Sequence, residues 1–301
     1  MSTMSQHEEI NTIDPASISQ QELHGYLLSA VAPRPICFAS TIDKDGNVNL
    51  SPFSYFNLFS VNPPIMIFSP SRRGRDNTTK HTLENVLEVK ETVINIVNYD
   101  MVEQMSLSST EYGDGVNEFV KSGLTQVPSD KVKPPRVGEA PVAFECVVDQ
   151  VIALGDGPGA GNLVLAKVVQ IHVKKAFLDA EGKLDTPKLD LVARMGGNWY
   201  CRANGDALFE IPKPIRTKGI GVDMLPEAVR NSTVLTGNNL GRLGNLEELP
   251  TKEAIAAIAG DAEVKSILNG VEDAVALHKL AQQWLAEGKT EDALALLHMW
   301  V

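Results

Sequence analysis

The chain has little cysteine, little positive charge and no long apolar run, and each shortage removes a class of protein. Cys37, Cys146 and Cys201 are the only cysteines among 301 residues, odd in number and far apart. They form neither a disulfide framework nor a CxxC metal site. Lys and Arg number 27 against 38 Asp and Glu, a formal net charge of −11, which excludes a protein that grips nucleic acid through bulk positive charge. No stretch reaches the roughly 18 apolar residues that a membrane span needs. The start, Met1 to Glu9, has neither the basic segment nor the apolar core of a signal peptide. The histidines at 7, 24, 81, 172, 278 and 298 show no HxH, HxxxH or HExxH spacing, so no metal is expected, and no GxSxG elbow is present. The expectation is a cytoplasmic, reduced chain, and its 43% hydrophobic and 22% charged residues are ordinary for a folded protein.

Residues 1–16 read as a polar arm. Ser19-Gln20-Gln21-Glu22 is a capping box, followed by Leu23, Tyr26, Leu27 and Ala30 at helical spacing. Pro33 and Pro35 stop that helix. From Ile36 the texture is β: a strand over 36–42, turn chemistry at Asp43-Lys44-Asp45-Gly46-Asn47, a returning strand from Val48, and another after Pro63-Pro64. A helix over 80–90, a strand over 92–97 and short helices over 102–109 and 116–122 follow. The longest strands, 143–154 and 162–173, are joined by the glycine-rich run 155–161. Many strands with few helices between them favour a closed or half-open antiparallel barrel over βαβ units. The barrel domain is placed at 17–214, an irregular Gly/Asn-rich connector at 215–250, and a helical module at 251–301. In that module Leu280, Ala281, Trp284, Gly288, Ala293 and Leu297 fall at the spacing of one tetratricopeptide-like repeat. One such unit cannot bury its own face, so it reads as an amphipathic helical pair docked on the barrel or a dimer mate, or else as a partner-binding tail.

Two stretches carry chemistry. Gly155 and Gly157 lack the third glycine of a dinucleotide fingerprint, because Ala160 stands there, and a β-branched segment follows; the run is a hairpin turn. Ser51 to Ser60 mixes aromatics with small polar residues, which suits either an aromatic core strand leading into a turn or a surface for a heteroaromatic ring. Ser69-Pro70-Ser71-Arg72-Arg73-Gly74-Arg75, then Thr78-Thr79-Lys80-His81-Thr82, concentrates cations and hydroxyls in an acidic protein. That is what a phosphate dianion requires, though a solvated loop has the same composition. The two stretches flank one strand, so a ring and a phosphate could belong to one ligand.

The order of residues resembles the flavin-reductase-like family, the FMN-binding split barrels. The resemblance is carried by Val31-Ala32-Pro33-Arg34-Pro35-Ile36, the strand-turn from Ser40 to Asn49, Ser51 to Asn57, Pro63-Pro64, Lys80 to Val86 with Val93 to Val97, and Met195-Gly196-Gly197-Asn198-Trp199-Tyr200. It covers about residues 10–214, and Gly237 to Gly244 looks like the tail of longer members. The resemblance implies a six-stranded split β-barrel, mainly β with helices, usually a homodimer, with FMN near the dimer interface. It implies that Ser51, Ser54, Tyr55 and Asn57 line the isoalloxazine, and that Ser69, Ser71, Arg72 or Arg75, Lys80 and Thr82 hold the phosphate. One departure is His81, where the family often has an acidic residue. The activity implied is transfer of hydride from NADH or NADPH to flavin N5, with reduced flavin serving an acceptor or a partner oxygenase. The alternative is a flavin-binding redox carrier without its own NAD(P)H activity.

Overall fold

The computed structural model describes residues 9–113, 115–211, 217–267 and 273–299. The first eight residues of the polar arm, the boundary at 214 and the chain end at Val301 lie outside them. The chain divides into two units, Met1–Phe209 and Glu210–Val301.

In the first unit, α1 (Gln20–Ala30) starts at the capping box: Ser19 and Glu22 cap each other reciprocally. The main sheet contains β1 (Cys37–Ile42), β2 (Val48–Phe53), β3 (Phe56–Val61), β4 (Pro64–Phe68), β5 (Glu91–Ile96), β6 (Val142–Ala153) and β7 (Asn162–Val173). Every pairing is antiparallel, in the order β2-β1-β5-β6-β7-β4-β3. The two edge strands, β2 and β3, are consecutive in sequence, with only Ser54 and Tyr55 between them. Their ends must therefore meet at one corner while the strands stay unbonded, which curls the sheet into a barrel with a split. Seven strands form it rather than the expected six.

All six residues of β1 are buried, because both faces are covered. Cys37 and Ala39 face a core with Phe53, Phe68, Ile94 and Val164, into which Leu83 and Val86 of α2 (His81–Glu88) pack. Phe38 faces a second core with Leu50, Met101, Met105 of α3 (Val102–Ser108) and Phe119 of α4 (Glu118–Ser122). A strand buried on both sides needs no polar alternation, and this run, apolar apart from the buried Ser40 and Thr41, shows none. The β1–β2 turn closes where the Asp43 carboxylate accepts from the amides of Asp45 and Asn47, with Gly46 at φ 86°, a conformation that glycine adopts without steric cost. A smaller sheet pairs Arg34–Pro35 with β8 (Leu191–Arg194), and β8 with β9 (Tyr200–Ala203).

The second unit has its own core. The stretch expected to be an irregular connector carries α5 (Glu227–Arg230) and α6 (Gly237–Gly244), followed by α7 (Lys252–Ala259), α8 (Ala262–Ile267), α9 (Ala274–Ala286) and α10 (Thr290–Leu297). Thr236 and Asn239 cap α6 reciprocally, so local capping and the burial of Leu243 outweigh the poor helix propensity of Gly and Asn. Leu225, Val229, Leu235 and Leu243 pack with Leu280, Ala281, Trp284, Ala293 and Leu297. The apolar face of the helical pair is thus covered from within its own unit, by residues that composition alone assigns to a connector.

Candidate functional site

The corner between β2 and β3 presents the predicted ring residues. Phe53 is buried and packs on Phe68, with ring centroids 5.2 Å apart, so it belongs to the core. Ser51 and Ser54 are half-buried, and Tyr55 and Asn57 are exposed. The Tyr55 carbonyl accepts from the Ser69 amide at 2.9 Å, which ties this corner to the start of the arginine loop. β3 bulges between Leu58 and Ser60. Leu58, Phe59 and Val61 of this edge strand are 51%, 65% and 79% exposed, an apolar row on an unpaired edge.

The loop from Ser69 to Lys80 is held against the glycine-rich turn. The Asn162 amide donates to Ser69 Oγ at 3.1 Å, and Asn162 Nδ2 to the Pro70 carbonyl. The Arg72 amide donates to the Ala160 carbonyl, and the Gly159 amide to the Arg72 carbonyl. Asn77, at φ 59°, donates to the Asp156 carbonyl and takes the Arg72 guanidinium on its side-chain and backbone oxygens at 2.8 and 2.7 Å. A Cβ on Gly161 would stand 2.8 Å from Ser69 Oγ. The turn at 155–161 is therefore the wall that shapes this loop, a role that its failed fingerprint does not reveal.

The cations divide sharply. Arg73 meets Glu111 at 3.3 Å and the Thr78 hydroxyl at 2.9 Å. Arg75 is exposed and shares Glu111, with Asp76 beside it. Among the described residues no carboxylate lies within ion-pair distance of Lys80. Its ammonium stands 6.0 Å from the centroid of the Phe53 ring, which brings the two predicted stretches to one place. Burial, and then the Arg73 charge, lowers the Lys80 pKa, with Glu111 acting the other way. Lys80 is also the extended N-cap of α2 and provides no side-chain cap, so the helix start favours a negative group there. Ser71 is half-buried in the same loop.

Two predicted phosphate residues are engaged elsewhere. Thr82 is fully buried, and its hydroxyl accepts from Asn49 Nδ2 at 2.9 Å in a network that continues through Thr41 to Asn85. Arg72 clasps Asn77. Arg72 fixes the shape of the loop, whereas Thr82 ties α2 to β1 and β2.

Sequence spacing also conceals two clusters. Asp130, Glu145 and His172 bring potential ligand atoms within 4.8 Å of one another. The buried Glu145 carboxylate, however, accepts from the Asp130 and Lys131 amides and meets His172 Nε2 at 2.6 Å, so its oxygens are committed to pinning the loop before β6. At the far side of the ring corner, Arg194 and Tyr200 line a cavity with Phe53 and Ser54. The family resemblance implies that residues 196–200 pass near the ring or the partner subunit, and Tyr200 does lie with Phe53 and Ser54; Arg194 is not among the expected residues.

A family model described as flavin reductase like domain matches residues 29–187. A protein of Aquifex aeolicus is 38% identical over 189 residues, 63% of this chain and 94% of that one. Among solved structures, nitrilotriacetate monooxygenase component B from Bacillus cereus superposes with a TM-score of 0.63 at 28% identity, covering 67% of this chain and 99% of that chain. A flavin-reductase-type protein with a split barrel domain from Shewanella frigidimarina gives a TM-score of 0.56 at 26% identity, over 66% of this chain and 95% of that chain. No helix among the described residues is long and apolar enough to cross a membrane.

Proposed function

Because the chain belongs to the flavin reductase-like family, whose chemistry is flavin-related redox chemistry, we propose that it is an FMN-dependent oxidoreductase that takes its electrons from NADH or NADPH. The observation that carries this reading is Lys80: a desolvated cation without a carboxylate partner among the described residues, at a helix start, beside the Phe53 ring. A phosphate dianion there would relieve the cost of a buried ammonium next to Arg73. The ribityl phosphate would meet Lys80, Ser71 and the first-turn amides of α2, with Ser69 at the loop entrance and Arg75 closing from outside. Arg72 is a positioning residue for that loop, and Thr82 anchors the helix that follows it.

The corner residues Ser51, Ser54, Tyr55 and Asn57 would meet the ring, offering fixed hydroxyl and amide donors where negative charge develops on reduction. When bound, FMN supplies the hydride-accepting centre, so the chain itself needs no acid–base dyad. The exposed apolar row on β3 supports a homodimer, since an open apolar edge strand is a template for pairing with a second chain. The Bacillus cereus protein is by name a monooxygenase component, which supports a partner oxygenase as the recipient of reduced flavin.

The test is oxidation of NADH and of NADPH by purified protein with and without FMN. FMN-dependent consumption of at least one donor is expected. FMN bound, yet no turnover with either donor, would leave a flavin carrier instead.

A further inference from the structure

Arg194 is a cation without a countercharge in a cavity built for a ring. The cavity measures about 190 Å³ and is lined by Phe53, Ser54, Met105, Ser109, Arg194 and Tyr200, among others. The Arg194 guanidinium lies 4.6 Å from the centre of the Tyr200 ring, and Nη2 donates to the Gly197 carbonyl at 2.7 Å. Among the described residues it meets no carboxylate. The contrast with Arg202, eight residues on, is direct: that guanidinium is forked onto the Asp190 carboxylate at 2.7 and 2.6 Å.

A second cation deepens the imbalance. Arg34 stands directly opposite Arg194 in the strand register and is only 6% exposed. It donates to the carbonyls of Leu28, Val31 and Met195, while its buried Nε has no partner among the described residues. Like charges directly opposite each other across a strand pair destabilise it, and carbonyl oxygens offset full charges only in part. A carboxylate beside Arg194 would neutralise one of the two charges and so remove the repulsion between them.

We propose that this cavity binds the second substrate of the site, a single planar ring bearing a carboxylate. The carboxylate would take the N–H donors of Arg194 that Gly197 leaves unused. The ring would lie among Tyr200, Phe53 and Met105, with the Ser54 and Ser109 hydroxyls at its edge. The volume is below the roughly 300 Å³ lower bound of pockets for drug-sized ligands, so it suits one ring and not a dinucleotide. The inference rests on the flavin reading for its meaning, because Phe53 and Ser54 belong to the corner proposed for the isoalloxazine.

The test is isothermal titration of the full chain, flavin-free and FMN-loaded, with benzoate and with benzamide as the uncharged analogue. Benzoate is expected to bind at least about tenfold more tightly than benzamide. Arg194→Met should remove that preference, and Arg194→Lys should restore part of it, with FMN affinity unchanged in both variants. If FMN fails to bind but benzoate still binds in an Arg194-dependent way, the carboxylate site stands and the flavin reading falls. Equal binding of the two probes, no binding of either, benzoate affinity indifferent to Arg194, or an equal loss of FMN affinity in both variants would each overturn the proposal.

Discussion

Burial strips water from the Lys80 ammonium, and Arg73 adds repulsion from nearby; both effects make a bound dianion favourable at this one side chain. Hydrogen bonds to charged groups contribute about 1.5–3 kcal/mol. Lys80→Met should therefore weaken FMN binding roughly 10- to 100-fold, read by flavin fluorescence titration. Because the variant also removes a buried charge, its thermal midpoint should not fall. A variant that binds FMN as tightly as the parent would remove Lys80 from the site. The neighbouring arginines illustrate why residue type alone is a poor guide. Arg72, Arg73 and Arg75 look equivalent in sequence, yet one is a clasp on Asn77, one is paired with Glu111 and one is exposed.

At the scale of elements, the loop before β6 hangs on one buried carboxylate. Burial alone would raise the Glu145 pKa, but the amides of Asp130 and Lys131, together with His172, bring it below its ordinary value of 4.5. A carboxyl whose folded-state pKa is depressed stabilises the protein fully above its unfolded value, and that contribution disappears as pH falls through the folded value. Glu145→Gln should cost about 1–3 kcal/mol near neutral pH through the hydrogen bonds it loses. The gap between variant and parent should narrow as pH drops below about 4, measured by denaturant unfolding across pH. A gap independent of pH would mean that the carboxylate is not ionised in this role. The strands themselves were legible, because β-branched runs bounded by Pro, Gly and Asp mark them, and Asn162–Val173, one of the two longest, matches its sequence expectation. The helices of 217–250 were not, because their stability comes from burying Leu225, Val229 and Leu243 against helices further along the chain, which composition cannot show.

At the scale of the molecule, two units that each bury their own apolar residues predict two separable behaviours. Ending the chain after Ile211 should leave the first unit folded and able to bind FMN with the parent affinity, because none of the candidate ligands lies beyond it. Circular dichroism melting and flavin titration of the shortened chain check this; loss of binding in a folded product would show that the second unit contributes to the site. The same scale explains what sequence reading of the site achieved. It singled out the stretches 51–60 and 69–82, which flank β4 within a short span and which the structure brings together where Lys80 meets Phe53. It read 155–161 as a turn but not as the wall of the Ser69 loop, which the pairing of β7 with β4 creates, and it did not single out Arg194, which the small sheet carries to the cavity with Phe53. It also could not tell which hydroxyls are already engaged, since Thr82 is withdrawn into the Asn49 network by a helix orientation that spacing leaves undetermined.

The central claim, that the β2–β3 corner and the Ser69–Lys80 loop together hold one FMN, is tested most directly by titrating the purified full chain with FMN and following flavin fluorescence and absorbance. The account predicts saturable binding of one FMN per chain, with riboflavin, which lacks the phosphate, binding at least about tenfold more weakly. Absence of saturable binding, or riboflavin binding as tightly as FMN, would contradict it.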